Sequence, residues 1–90
     1  MTLFLIERQF AEQLELQQEG IDAIKGVNDD VGIDWLFSFL SADKKKTYCL
    51  YQAACADDIY EAARRLNLPA DAVVEVSRIG PHGASDAASG

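Results

Sequence analysis

Residues 33–54 read Ile-Asp-Trp-Leu-Phe-Ser-Phe-Leu-Ser-Ala-Asp-Lys-Lys-Lys-Thr-Tyr-Cys-Leu-Tyr-Gln-Ala-Ala, and this stretch decides the fold. Trp35, Phe37 and Phe39 alternate with Asp34, Leu36, Ser38 and Leu40, the period-two pattern of a strand over residues 33–41. Residues 42–46 form a polar turn, with Lys44, Lys45 and Lys46 as a solvated tip. Residues 47–54 supply the returning strand. The centre of the chain is therefore a β-hairpin.

Working outward, residues 3–8 are apolar and bounded by polar neighbours, which suits a first strand. Phe10, Leu14, Ile21 and Ile24 recur at helical spacing, with Glu12, Glu15, Gln17, Gln18 and Glu19 on the other side. This first helix is expected to end in Gly26, Asn28, Asp29, Asp30 and Gly32. On the other side of the hairpin, Ile59, Ala62, Ala63 and Leu66 mark a second amphipathic helix. Asp57 and Asp58 at its start and Arg64 and Arg65 at its end complement its dipole. Asn67-Leu68-Pro69 stops it, residues 72–79 form a fourth strand, and a Gly/Ala/Ser tail begins at Gly80. The order is β-α-β-β-α-β, an α+β ferredoxin-like fold with a four-stranded antiparallel sheet and two helices on one face. Residues 1–79 form the expected domain and residues 80–90 a flexible tail.

Ninety residues hold one domain, and a chain this short buries only about 60–65% of its unfolded surface. An apolar share of 49% with 26% charged residues is an ordinary globular mix. The formal charge of −7 repels phosphate backbones and anionic lipid, so nucleic acid and membrane surfaces are not expected partners. The opening Met1-Thr2-Leu3-Phe4-Leu5-Ile6 lacks the basic start and length of a signal peptide. Cys49 and Cys55 are six apart, too far for a disulfide within one strand and outside common zinc spacings. Free thiols in the cytoplasm are expected.

The central strands are apolar on both faces. With Leu36, Leu40, Tyr48 and Leu50 assigned to the helix-covered core, Trp35, Phe37, Phe39, Cys49 and Tyr51 fall on the open face. Such a stripe exceeds the apolar exposure normal for a monomer, so a face-to-face homodimer is expected. A β-bulge or a docked tail is the alternative way to cover it. Trp35, Phe37, Phe39 and Tyr51 are the candidate lining of a small-ligand site. Glu7 and Cys49, on neighbouring strands, are candidate ligands for a divalent metal between the sheets. The lone histidine, His82, lies in the tail, so no Ser/His/Asp set can be built.

Trp35-Leu36 and Ser38, Ser41 and Asp43, Cys49-Leu50-Tyr51 and Ala53, Asn67-Leu68-Pro69-Ala70-Asp71 and Val74-Glu75-Val76 occur in order after Ile6-Glu7-Arg8. In this, the chain resembles a family of short bacterial domains of unknown function that includes a nickel-binding protein. The resemblance implies a ferredoxin-like fold, dimerisation and a nickel-binding role. Members often carry histidines in the helices and an acid after the matched tyrosine. Here no histidine precedes His82, and Gln52 follows Tyr51. Only Glu7 and Cys49 carry over as ligands for nickel or another divalent metal.

The function expected is that of a non-catalytic homodimeric binding protein holding a divalent metal or a small ligand between paired sheets. The alternative is a cofactor-independent oxygenase or isomerase with an apolar pocket on the open face.

Overall fold

The computed structural model of the chain describes residues 1–85. Strand β1 (Thr2–Gln9) leads through an irregular crossing segment to helix α1 (Gln18–Val31). Strands β2 (Asp34–Leu40) and β3 (Lys46–Ala53) form the hairpin, followed by α2 (Ala56–Leu66) and β4 (Ala72–Val76). The four strands lie in the order β2-β3-β1-β4, with every neighbouring pair antiparallel. This is the α+β ferredoxin-like arrangement expected from the order of elements.

The core forms where both helices meet one face of the sheet. Phe4 and Ile6 of β1, Cys49, Tyr51 and Ala53 of β3, Ile33, and Ile59 and Ala62 of α2 make one buried cluster. Val27 and Val31 of α1 pack against it. Both helices end on a left-handed residue. Gly32 (φ 77°) closes α1 with its N–H on the Asn28 carbonyl, and Asn67 (φ 55°) closes α2 over the carbonyls of Ala63 and Arg64. These residue types adopt that conformation at least cost.

Three boundaries depart from the sequence expectation. Helix α1 begins at Gln18, so Phe10 and Leu14 are not on it. The N–H groups of Phe10 and Leu14 instead donate to the carbonyls of Lys45 (2.8 Å) and Lys44 (2.7 Å). The crossing segment is thus pinned to the hairpin tip, whose carbonyls take the bonds a helical turn would have made. At the other end α1 runs through Asn28, Asp29 and Asp30. The last strand stops at Val76, and where a tail was expected the chain forms a small antiparallel hairpin, β5 (Arg78–Gly80) with β6 (Gly83–Ser85). His82 is exposed in its turn. The rest of the expected tail, residues 86–90, lies outside the described residues.

Candidate functional site

The strand register sorts the candidate residues onto two faces. Leu5 stands opposite Leu50 and Val74, Glu7 opposite Tyr48, and Ile6 opposite Cys49. Between Trp35 and Phe37 the β2–β3 register slips by one residue, a β-bulge at Leu36. Trp35 therefore pairs with Tyr51, while Phe37 pairs with Leu50 and Phe39 with Tyr48. Trp35, Cys49 and Tyr51 turn toward the helices; Phe37, Phe39, Leu50 and Tyr48 share the open face with Leu5, Glu7 and Val74.

This corrects the assignment of faces. Cys49 and Tyr51 belong to the core, and Leu50 and Tyr48 do not. The bulge, which the sequence reading held only as a way to cover the patch, splits the aromatic stripe instead. Leu36 and Leu40, expected in the core, are nearly half exposed. The four residues expected to line one pocket divide in two pairs. Phe37 and Phe39 meet edge-to-face at 5.5 Å, 83° apart, on the open face, whereas Trp35 and Tyr51 stack at 6.4 Å on the helix side.

The proposed metal pair also divides. Glu7 lies on the open face, 3.4 Å from Lys46 Nζ, and its carboxylate raises the Lys46 pKa. That ammonium sits 5.9 Å from the Tyr48 ring centroid. Cys49 lies under the helices, its thiol within 3.7 Å of Thr47 Oγ1. The sheet itself separates the two. Cys55, the other free thiol, is exposed at the start of α2. Among the described residues no three His, Cys, Asp or Glu side chains gather as a metal centre.

What the helix-covered face does contain is a cavity of about 70 Å³ beneath the crossing segment. Phe10, Leu14, Leu16, Ile24, Trp35 and Leu68 line it together with Arg8, Ser38, Thr47, Cys49 and Tyr51, and its surface is almost wholly apolar. Trp35 Nε1 donates to Ser38 Oγ at 2.8 Å across the bulge. Arg8 is only 5% exposed, and its Nη1 donates to the Pro69 carbonyl at 2.6 Å. Burial raises the pKa of the Tyr51 hydroxyl, opposed by the nearby Asn28 amide and Arg8 guanidinium. Asn28 is buried beside Tyr51, and neither amide atom completes a well-formed hydrogen bond among the described residues.

Arg8 and Asn28 escaped the sequence reading as site residues. Arg8 was read as the polar end of the first strand. Asn28 was read as a helix terminator, although it falls four residues after Ile24 and three before Val31, on the inward stripe of α1. A polar residue at a core position was the available signal.

A small ferredoxin-like domain with two apolar sheet faces is the class that this geometry defines. The chain belongs to the Nickel responsive protein SCO4226-like family, whose model matches residues 4–76. Its fold is similar to that in the crystal structure of SCO4226 from Streptomyces coelicolor A3(2), with a TM-score of 0.74 at 18% identity. That likeness covers 87% of this chain and 99% of the other. No curated protein matches the chain. No helix among the described residues is long and apolar enough to cross a membrane.

Proposed function

We propose that this chain is a non-catalytic binding protein that works as a homodimer, with the open sheet face of each copy covering that of the other. A divalent metal or small ligand is held between the paired sheets. The observation that carries this reading is the exposed apolar stripe. Phe37, Phe39 and Val74 keep 49%, 64% and 51% of their surface in water, beside Leu5 and Leu50 in the same rows. Burying such a stripe contributes roughly 25 cal/mol per Å² of apolar area, and a two-fold axis makes one surface its own complement.

Membership of a nickel-responsive family supports nickel as the metal. In this reading Glu7 of each copy is the carboxylate between the sheets, freed from Lys46, because two-fold symmetry doubles a donor that one subunit has singly. Cys49 has no part in that site, since its thiol lies on the helix side.

Native mass spectrometry of untagged protein, before and after adding nickel chloride, tests the proposal. A dimer that gains a fixed small number of nickel ions, and loses them in Glu7→Gln, is the expected result. A metal-free dimer leaves the small-ligand form of the reading and removes the metal. A monomer at every concentration overturns it.

A further inference from the structure

The last two strands have no place in the main sheet. Among the described residues β5 (Arg78–Gly80) and β6 (Gly83–Ser85) pair only with each other, and they lie beyond residue 76, where the match to the family ends. A lone hairpin with three residues in each strand is marginal in water. The side chain at the middle of β5, Ile79, is 82% exposed, more than any other large apolar residue described. At the far edge of the sheet, β2 has the complementary deficit. It is paired by β3 alone, so the backbone groups of its outer edge have no strand beside them among the described residues. Leu40, on the helix side of β2 opposite Thr47, is nearly half exposed, and facing sheets alone would not cover it.

We propose that the β5–β6 hairpin of each copy is an arm that adds to the outer edge of β2 in a second copy, with Ile79 laid against the exposed side chains of that strand. This rests on the paired-sheet dimer, and two-fold symmetry supplies the geometry. In the order β2-β3-β1-β4 the two outer strands are β2 and β4, and the intervening antiparallel pairs make them antiparallel to each other. A two-fold axis between the sheets and along the strands places β4 of one copy over β2 of the other and keeps strand directions. A strand continuing in the direction of β4 then runs antiparallel to the facing β2. Packed sheets lie about 10 Å apart, and each strand of the hairpin extends about as far at roughly 3.3 Å per residue. Within one copy the hairpin has no such place. Only Ser77 separates β4 from β5, too short a link for β5 to turn back along β4, and the chain's own β2 lies beyond β1 and β3. Charge agrees with the placement. Residues 77–85 carry Arg78 and no acidic side chain, in a chain whose net charge is −7, and β2 opens on exposed Asp34. Main-chain bonding to an open sheet edge, with a seated side chain for specificity, is a recurring mode of recognition.

The full-length protein tests the arm. In a mixture of isotope-labelled and unlabelled chains, filtered NOE spectra report contacts between copies only. The expected result is contacts from the Ile79 methyl groups to side chains of β2 in the other copy. Ile79→Asp is the matching variant. Because Ile79 is largely exposed within its own subunit, the circular dichroism spectrum should be unchanged. In sedimentation equilibrium the variant should dimerise about tenfold more weakly, roughly the effect of leaving one isoleucine unburied. At a protein concentration where both remain dimeric, amide hydrogen exchange across residues 34–40 should be faster in the variant than in the parent. A dimer in which Ile79 touches no part of β2 in the other copy, or whose affinity and exchange ignore Ile79→Asp, overturns the arm and leaves the paired sheets standing. A monomer at every concentration removes both.

Discussion

The two faces of this sheet are made from nearly the same materials and meet opposite fates. On one, Ile6 of β1 faces Cys49 of β3 beneath Ile59 of α2, and Ile6 and Ile59 are almost fully removed from water. On the other, one residue away along each strand, Leu5 faces Leu50 and Leu50 in turn faces Phe37, with no helix above them among the described residues. Apolar character alone does not tell the faces apart; what the helices cover does. The covered face carries stability within one chain, and the open face is where the proposed association would act. The sharpest way to break this contrast is to cut into the covered face. Ile6→Ala removes most of a fully buried side chain from packed surroundings and should cost about 3 kcal/mol. Urea denaturation should show that loss to the same extent at every protein concentration, because it arises within one subunit.

Charge on the open face should act through assembly instead. Phe37→Lys with Phe39→Lys replaces two exposed rings by ammonium groups that a facing copy would have to bury beside their symmetry mates. Sedimentation equilibrium should find the variant monomeric where the parent is dimeric. The monomer's own stability should shift by only about 0.5 kcal/mol, as for other exposed positions. If a stable dimer persists, the dimer surface lies elsewhere.

The order of elements was legible in the sequence because each had an unambiguous period and firm ends: the aromatic alternation of β2, the spacing of Ile59, Ala62, Ala63 and Leu66, and the Asn67-Leu68-Pro69 stop. Which face was which was not legible. On β3 both parities are apolar, Tyr48 and Leu50 against Cys49 and Tyr51, so periodicity had no preference to report. The outward parity did carry a weak mark, since Leu3 and Leu5 continue into Glu7, and Tyr48 and Leu50 lie between Lys46 and Gln52. Buried Arg8 and Thr47 on the opposite parity cancelled it. On β2 the bulge at Leu36 reverses the parity midway, and nothing local in Trp35-Leu36-Phe37 announces it. The start of α1 was missed for a long-range reason, because the amides of Phe10 and Leu14 bond to a hairpin tip some thirty residues away. Of the candidate site, Phe37 and Phe39 lie on the open face where they were expected; Glu7, whose facing the sequence left open, lies there too, and its pairing with Cys49 inherited the parity error.

The bulge gives a test of that diagnosis with a smaller effect. Trp35 pairs with Tyr51 and Phe37 with Leu50, so Leu36 is the extra residue between two consecutive rungs. Deleting Leu36 should close the ladder into regular alternation and leave Trp35 on the covered face and Phe37 on the open one. A deletion in the middle of a strand ordinarily flips every residue beyond it. Here the expected change in stability is within about 1 kcal/mol, with the Trp35 emission maximum retained. Loss of the fold would mean that the bulge is required and that faces cannot be exchanged by register alone.

The smallest effect lies on neither face. Glu61 on the outer side of α2 accepts from Arg64 (Nη2, 2.6 Å; Nε, 3.2 Å) and from Arg65 (Nε, 2.9 Å). Hydrogen bonds from Arg64 and then Arg65 hold its carboxyl below the usual value of 4.5. A carboxyl depressed on folding stabilises the native state above its unfolded pKa, and that contribution disappears as the pH falls through the folded value. Glu61→Gln should therefore lower the urea midpoint slightly at pH 7. At a pH well below the carboxylate range the parent has protonated too, and the two midpoints should converge. Molar salt should bring them together at neutral pH, because exposed pairs are screened. Ile6→Ala, by contrast, should lose the same stability at either pH, since burial of a hydrocarbon has no proton to exchange. A Glu61→Gln difference that survives acid would place its origin in helix propensity or packing rather than in charge.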